Sequence, residues 1–123
     1  MYEVEIIAHF SAAHRLREYK GKCEQLHGHN YKVHVAVRAQ TPGKGGMVID
    51  FKQLKEITNE ILDRLDHRFL NDQPPFDKIE PSAENVAAYI FEEIARRMGP
   101  QAGMLHSISV WESETSRATF LRD

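Results

Sequence analysis

The stretch Cys23-Glu24-Gln25-Leu26-His27-Gly28-His29-Asn30-Tyr31 gathers the only cysteine of the chain and two of its seven histidines. Two histidines one residue apart point to the same side of an extended chain, and neutral imidazole is the commonest protein ligand for a metal. Gly28 lets the backbone bend so that both rings can converge. His14, at the end of an earlier apolar run, offers a third nitrogen. Three protein ligands with a fourth position open is the arrangement of a catalytic zinc rather than a structural one. His9, His34 and His106 compete for the place of the remote ligand, or else serve as ordinary strand residues.

Three further groups carry possible chemistry. Beside a bound cation the Cys23 thiolate is stabilised, which lowers its pKa and makes it a proton acceptor near neutral pH; the same thiol is alternatively a fourth ligand or an inert packed group. Asp66-His67 is a candidate acid/base pair, because an aspartate bonded to an imidazole fixes its tautomer and stabilises the charged ring. Neighbours on a regular helix do not face each other, so this pair needs a helix end or a loop; otherwise Asp66 is a turn residue. Glu112 can accept two parallel hydrogen bonds from an N–H and an amino group of a heterocycle, or it is a solvated strand end. Ser82 and Glu84, candidates for substrate contact, equally suit the start of a helix.

The elements that must position these groups follow from hydrophobic period. Tyr2, Val4, Ile6, Ala8, Phe10, Ala12 and His14 alternate as one face of a strand, and Tyr31, Val33, Val35, Val37 and Ala39 as the face of a second. Extending the second alternation backwards places His27 and His29 on the same side as Tyr31. Gln40 to Gly46 is a loop. Asp50 caps a helix, with Gln53 completing a capping box, and Leu54, Ile57, Ile61, Leu62 and Leu65 form its apolar stripe. Gln73-Pro74-Pro75 stops any continuation. Ser82 caps a second helix with Val86, Ala87, Ile90, Phe91, Ile94 and Met98 buried, and Gly99-Pro100 ends it. A strand over Leu105 to Glu112, with His106, Ile108, Val110 and Glu112 on one face, and a short strand over Ala118 to Leu121 close the chain. The order ββααββ predicts an α+β domain over residues 1–123, a four-stranded antiparallel sheet with both helices on one face. Its open edges invite pairing with further copies, so a homo-oligomer joined edge to edge is expected.

Composition narrows the function. With 123 residues, 41% hydrophobic and 28% charged, and a formal charge of -2, the chain lacks the basic excess that nucleic-acid partners require. No apolar run approaches the roughly 18 residues of a membrane span. The start, Met1-Tyr2-Glu3-Val4, is already strand-like, without a signal peptide. A cytoplasmic protein without membrane or nucleic-acid partners is expected.

Taken together, six segments resemble the 6-pyruvoyl-tetrahydropterin synthase / 6-carboxytetrahydropterin synthase family: Phe10 to Leu16, Cys23 to Tyr31, Gly46 to Phe51, Leu65 to Arg68, Ser82 to Asn85, and Val110 to Glu112. The resemblance implies the tunnelling fold, in which subunits join their sheets into a β-barrel, here a hexamer built as a dimer of trimers, with active sites at subunit interfaces. It implies Zn2+ held by His14, His27 and His29, Cys23 as general base, Asp66 and His67 as proton-relay partners, and Glu112 anchoring a pterin ring. Glu84 and Ser82 would lie in the substrate-binding segment. Three residues separate Cys23 from His27, a short spacing that looks like the bacterial 6-carboxytetrahydropterin synthases. The implied reaction converts 7,8-dihydroneopterin triphosphate to 6-carboxy-5,6,7,8-tetrahydropterin with release of acetaldehyde and triphosphate, toward 7-deazaguanine nucleosides such as queuosine. A 6-pyruvoyl product, a folate-type route through Glu24, and a noncatalytic zinc- and pterin-binding protein are the alternatives. Ala83 departs from the family, which often has a hydroxyl residue beside the glutamate.

Overall fold

A computed structural model describes residues 1–18, 20, 21 and 25–123. Two long strands dominate it, β1 (Tyr2–His14) and β2 (His27–Ala39), paired antiparallel from Tyr2 opposite Ala39 to His14 opposite His27. Side chains alternate strictly along each strand. One face therefore buries Ile6, Ala8, Phe10 and Ala12 beside Tyr31, Val33, Val35 and Val37, and His14 and His29 fall on that same face at its end.

Helix α1 (Phe51–Leu62) begins at Asp50, whose carboxylate accepts the Lys52 amide at 2.9 Å. That cap uses the amide before Gln53, not the Gln53 amide that a capping box would use. Leu54, Ile57, Ile61 and Leu62 form its buried stripe, and the following turn places Leu65 in the core as the spacing predicts. Helix α2 (Ala83–Met98) starts where Ser82 accepts the Asn85 amide at 3.2 Å, and stops at Gly99, with φ of 58°. Val86, Ala87, Ile90, Phe91, Ile94 and Met98 are buried. Both helices join the sheet in one apolar core. Ser82→Ala removes the oxygen that satisfies an otherwise free helix amide, and a loss of about 1 kcal/mol is expected in chemical denaturation.

The sheet has five strands, not four, in the order β3-β1-β2-β4-β5. The added strand, β3 (Arg68–Phe69), runs parallel to β1, with Ala12 opposite Arg68. Two residues cannot show an alternation, which is why the sequence pattern passes over it. β4 (Leu105–Ser113) and β5 (Ser116–Leu121) complete the sheet. A register shift at Ala36–Val37 sets Leu105 opposite Val37. Leu105 thereby takes the buried place that simple alternation gives to His106, which is only half-buried. The helix-free face is polar, with Glu3 paired to Arg38 at 2.7 Å and Glu5 to His34 at 3.0 Å. No described helix is long and apolar enough to cross a membrane.

Candidate metal centre

The pairing of β1 with β2 brings three imidazoles to one spot. His14 lies opposite His27, and His29 lies opposite Ala12, one step along the same face. His14 Nε2 is 3.0 Å from His27 Nε2 and 3.1 Å from His29 Nε2, and the ligand atoms of all three lie within 4.8 Å of one another. His9, His34 and His106 stand apart from this cluster; His34 is engaged with Glu5 on the helix-free face.

Main-chain carbonyls set the ring orientations. His14 Nδ1 donates to the Pro81 carbonyl at 2.7 Å, and His27 Nδ1 to the Gln25 carbonyl at 2.7 Å. With protons on the Nδ1 atoms of His14 and His27, their Nε2 lone pairs face each other. Lone pairs at 3.0 Å repel unless a cation or a proton lies between them. Tetrahedral ligands about 2.0–2.1 Å from a zinc ion stand roughly 3.4 Å apart, close to the 3.0 and 3.1 Å that separate His14 Nε2 from its two partners. This donor set, with His14 and His27 tethered behind by carbonyl acceptors, fits a divalent metal.

Burial reinforces neutrality. His14 is 1% exposed, and desolvation lowers its pKa against the raising effects of the Pro81 carbonyl and Glu112. Burial lowers His29 in the same way, opposed by Glu112. The unfolded chain binds these protons near the ordinary histidine pKa of about 6.5, before the folded chain does. Stability of the metal-free protein is therefore unaffected by these groups well above that pH and falls as pH drops through and below it. Thermal melts of metal-free protein between about pH 7.5 and 5.5 should show a falling midpoint; a flat profile would contradict the assigned neutrality.

Glu112 Oε2 lies 3.5 Å from His29 Nε2, so the expected ring-anchoring carboxylate borders the histidine cluster. Glu84 and Glu112 share a shallow depression with Ala83 and Arg117. The Ser82 oxygen is engaged as the α2 cap.

Asp66 and His67 face each other because the chain leaves the helical path. His67 has φ of 57°, and its Nδ1 donates to Asp66 Oδ2 at 3.0 Å. Ser11 clasps the pair, its amide donating to Asp66 Oδ1 at 2.9 Å and its carbonyl accepting the His67 amide at 2.6 Å. The Ser11 amide, then His67, hold the Asp66 carboxyl below the usual carboxylate range. His67 is 83% exposed and lines an open cavity of about 490 Å3 with Ser11, Gly28, His29 and Asn30. It thus shares a cavity with one imidazole of the cluster without joining it. Cys23 and Glu24 lie outside the described residues.

Sequence reasoning missed the Pro81 and Gln25 carbonyls, the Ser11 clasp and the hydroxyl of Tyr31. Carbonyls have no residue signature. Ser11 was visible only as part of the segment Phe10 to Leu16, and Tyr31 only as the end of the segment Cys23 to Tyr31 and as a core position.

The match to the family model described as 6-pyruvoyl tetrahydropterin synthase spans residues 3–123. The chain is 40% identical over 94 residues to a putative 6-carboxy-5,6,7,8-tetrahydropterin synthase of Archaeoglobus fulgidus, covering 76% of each. It is 39% identical over 116 residues to the 6-carboxy-5,6,7,8-tetrahydropterin synthase of Synechocystis, covering 90% of this chain and 86% of that one. Its fold superposes on the 6-pyruvoyl tetrahydropterin synthase of Caenorhabditis elegans with a TM-score of 0.90 at 32% identity, over 99% and 96% of the two chains.

Proposed function

Since the chain belongs to the 6-pyruvoyl tetrahydropterin synthase family, we propose that it converts 7,8-dihydroneopterin triphosphate and water to 6-carboxy-5,6,7,8-tetrahydropterin, acetaldehyde and triphosphate, on the route to queuosine. The observation that carries this is the meeting of three Nε2 atoms beside the Glu112 carboxylate. The spacing of Cys23 and His27 favours the carboxy product.

His14, His27 and His29 would hold Zn2+, which when bound supplies Lewis acidity to substrate oxygens. The Glu112 carboxylate accepts the N–H and amino donors of the pterin ring and fixes its register, with Glu84 and Ser82 at the neighbouring end of α2. Cys23 removes the side-chain proton. His67 moves protons at Nε2, because Asp66 holds its Nδ1 proton and an ionised Asp66 stabilises the charged ring. The exposure of His67 suits service to a neighbouring subunit. Sheets joined edge to edge into a barrel, as a hexamer of two trimers in the cytoplasm, would put that subunit within reach.

Zinc-loaded protein incubated with dihydroneopterin triphosphate should release acetaldehyde and yield a product with the mass of the carboxy compound. The second reading, a 6-pyruvoyl product, is favoured by the close fit to the Caenorhabditis elegans enzyme; triphosphate release without acetaldehyde would select it. Stoichiometric pterin binding without turnover would reject both. Light scattering at micromolar concentration should give the mass of six chains, and a monomer would reject the assembly.

A further inference from the structure

We propose that Tyr31 is a positioning residue for the metal centre, its hydroxyl and ring edge holding His14 and His29 in the orientation that brings their Nε2 atoms together. The proposal rests on the metal-binding function above. Tyr31 is completely buried, and its ring lies flat on Phe10, with centroids 4.5 Å apart and planes 7° from parallel. That stack fixes the phenol plane. From it, the edge contacts the two imidazoles, with centroids 6.1 Å from His14 and 5.3 Å from His29 and planes at 88° and 70°.

The hydroxyl lies 3.3 Å from His14 Nδ1, on the same nitrogen that donates to the Pro81 carbonyl at 2.7 Å. Two oxygens thus converge on one N–H. A half-turn of the His14 ring about Cβ–Cγ would set Cδ2–H against both oxygens and replace Nε2 in the centre by Cε1. The paired oxygens oppose that turn, the carbonyl as main acceptor and the hydroxyl as the second. Packing alone gives no reason for the oxygen. A buried hydroxyl costs free energy when unpartnered, phenylalanine would fill the same space, and His14 is the one hydrogen-bond partner of this hydroxyl among the described residues.

Tyr31→Phe removes the oxygen and keeps the stack. Zinc affinity, measured by competition with a chromophoric chelator, should weaken about tenfold, the low end of the 10–100-fold range for outer-shell partners, because Pro81 remains. The visible spectrum of the cobalt-substituted protein should shift as the site loosens. Val33→Ala, on the same face of β2, is the control; it should lower thermal stability while leaving zinc affinity unchanged. An affinity within about twofold of the parent, with an unaltered cobalt spectrum, would overturn the role of Tyr31 and leave the metal site standing. So would an equal weakening in Val33→Ala, which would mark a stability effect. A parent protein that binds no zinc would overturn the metal-binding function itself, and this inference with it.

Discussion

His29→Ala should lose bound zinc and turnover together while the chain stays folded. His29 Nε2 stands 3.1 Å from His14 Nε2 and 3.5 Å from the Glu112 carboxylate, so truncation removes one of three ligands and leaves a site with two nitrogens. Loss of an outer-shell partner already costs about 10–100-fold in metal affinity, and loss of a direct ligand should cost more. Metal analysis after dialysis against a mild chelator should find well under one zinc per chain, against about one for the parent. Turnover should fall in proportion to the lost metal. His29 is a better probe than His14. His14 is buried and bonded to Pro81, so its removal would open a cavity and cut a tie to the start of α2, mixing metal loss with unfolding. The side chain of His29 is 21% exposed, and it resists protonation in the fold. Its removal should therefore also soften the acid sensitivity of the metal-free protein. A variant with stoichiometric zinc would show that the three-histidine site is wrong.

That histidines gather at one end of the sheet was legible from period and pairing, whereas the choice of His14 over His9, His34 and His106 as the third ligand came from the family resemblance. Two alternating runs, the first ending and the second beginning in histidine, must set those histidines on one face once the antiparallel strands pair in register, and β1 and β2 do so over thirteen residues each. The helices were legible for the same reason, as stripes at helical spacing. What escaped depends on tertiary geometry. The two-residue β3 exists because β1 offers it an edge at Ala12 and Ala13, not because Arg68-Phe69 has a strand pattern. The displacement of His106 from the buried face comes from a bulge in its own strand, where Ala36 and Val37 of β2 face Ser107 and Leu105 and His106 is left without a partner position. The tethering of His14 comes from a carbonyl 67 residues away. Tyr31 looked like one more apolar position, since alternation records where a side chain points and not what its hydroxyl reaches.

His67→Asn should cut turnover by about 10²- to 10⁴-fold, the usual contribution of a general acid/base, with zinc content unchanged. Asparagine is chosen because His67 sits at φ of 57°, in the left-handed region that asparagine tolerates better than most residues. Alanine would add backbone strain to the chemical loss. The asparagine side-chain NH2 can still donate to Asp66, while Ser11 continues to hold both the Asp66 carboxylate and the amide of residue 67. What vanishes is the ring nitrogen that would carry the transferred proton. Because His67 lies outside the metal cluster, a large fall in turnover with full zinc occupancy and an unchanged melting midpoint would separate proton transfer from metal binding. Asp66→Asn should follow in the same direction, since one of its two oxygens becomes a donor facing either the Ser11 amide or the His67 Nδ1 proton. If His67→Asn retained parental turnover, the Asp66–His67 pair would reduce to a structural clasp between β1 and the end of α1, and the proton relay would have to be sought elsewhere.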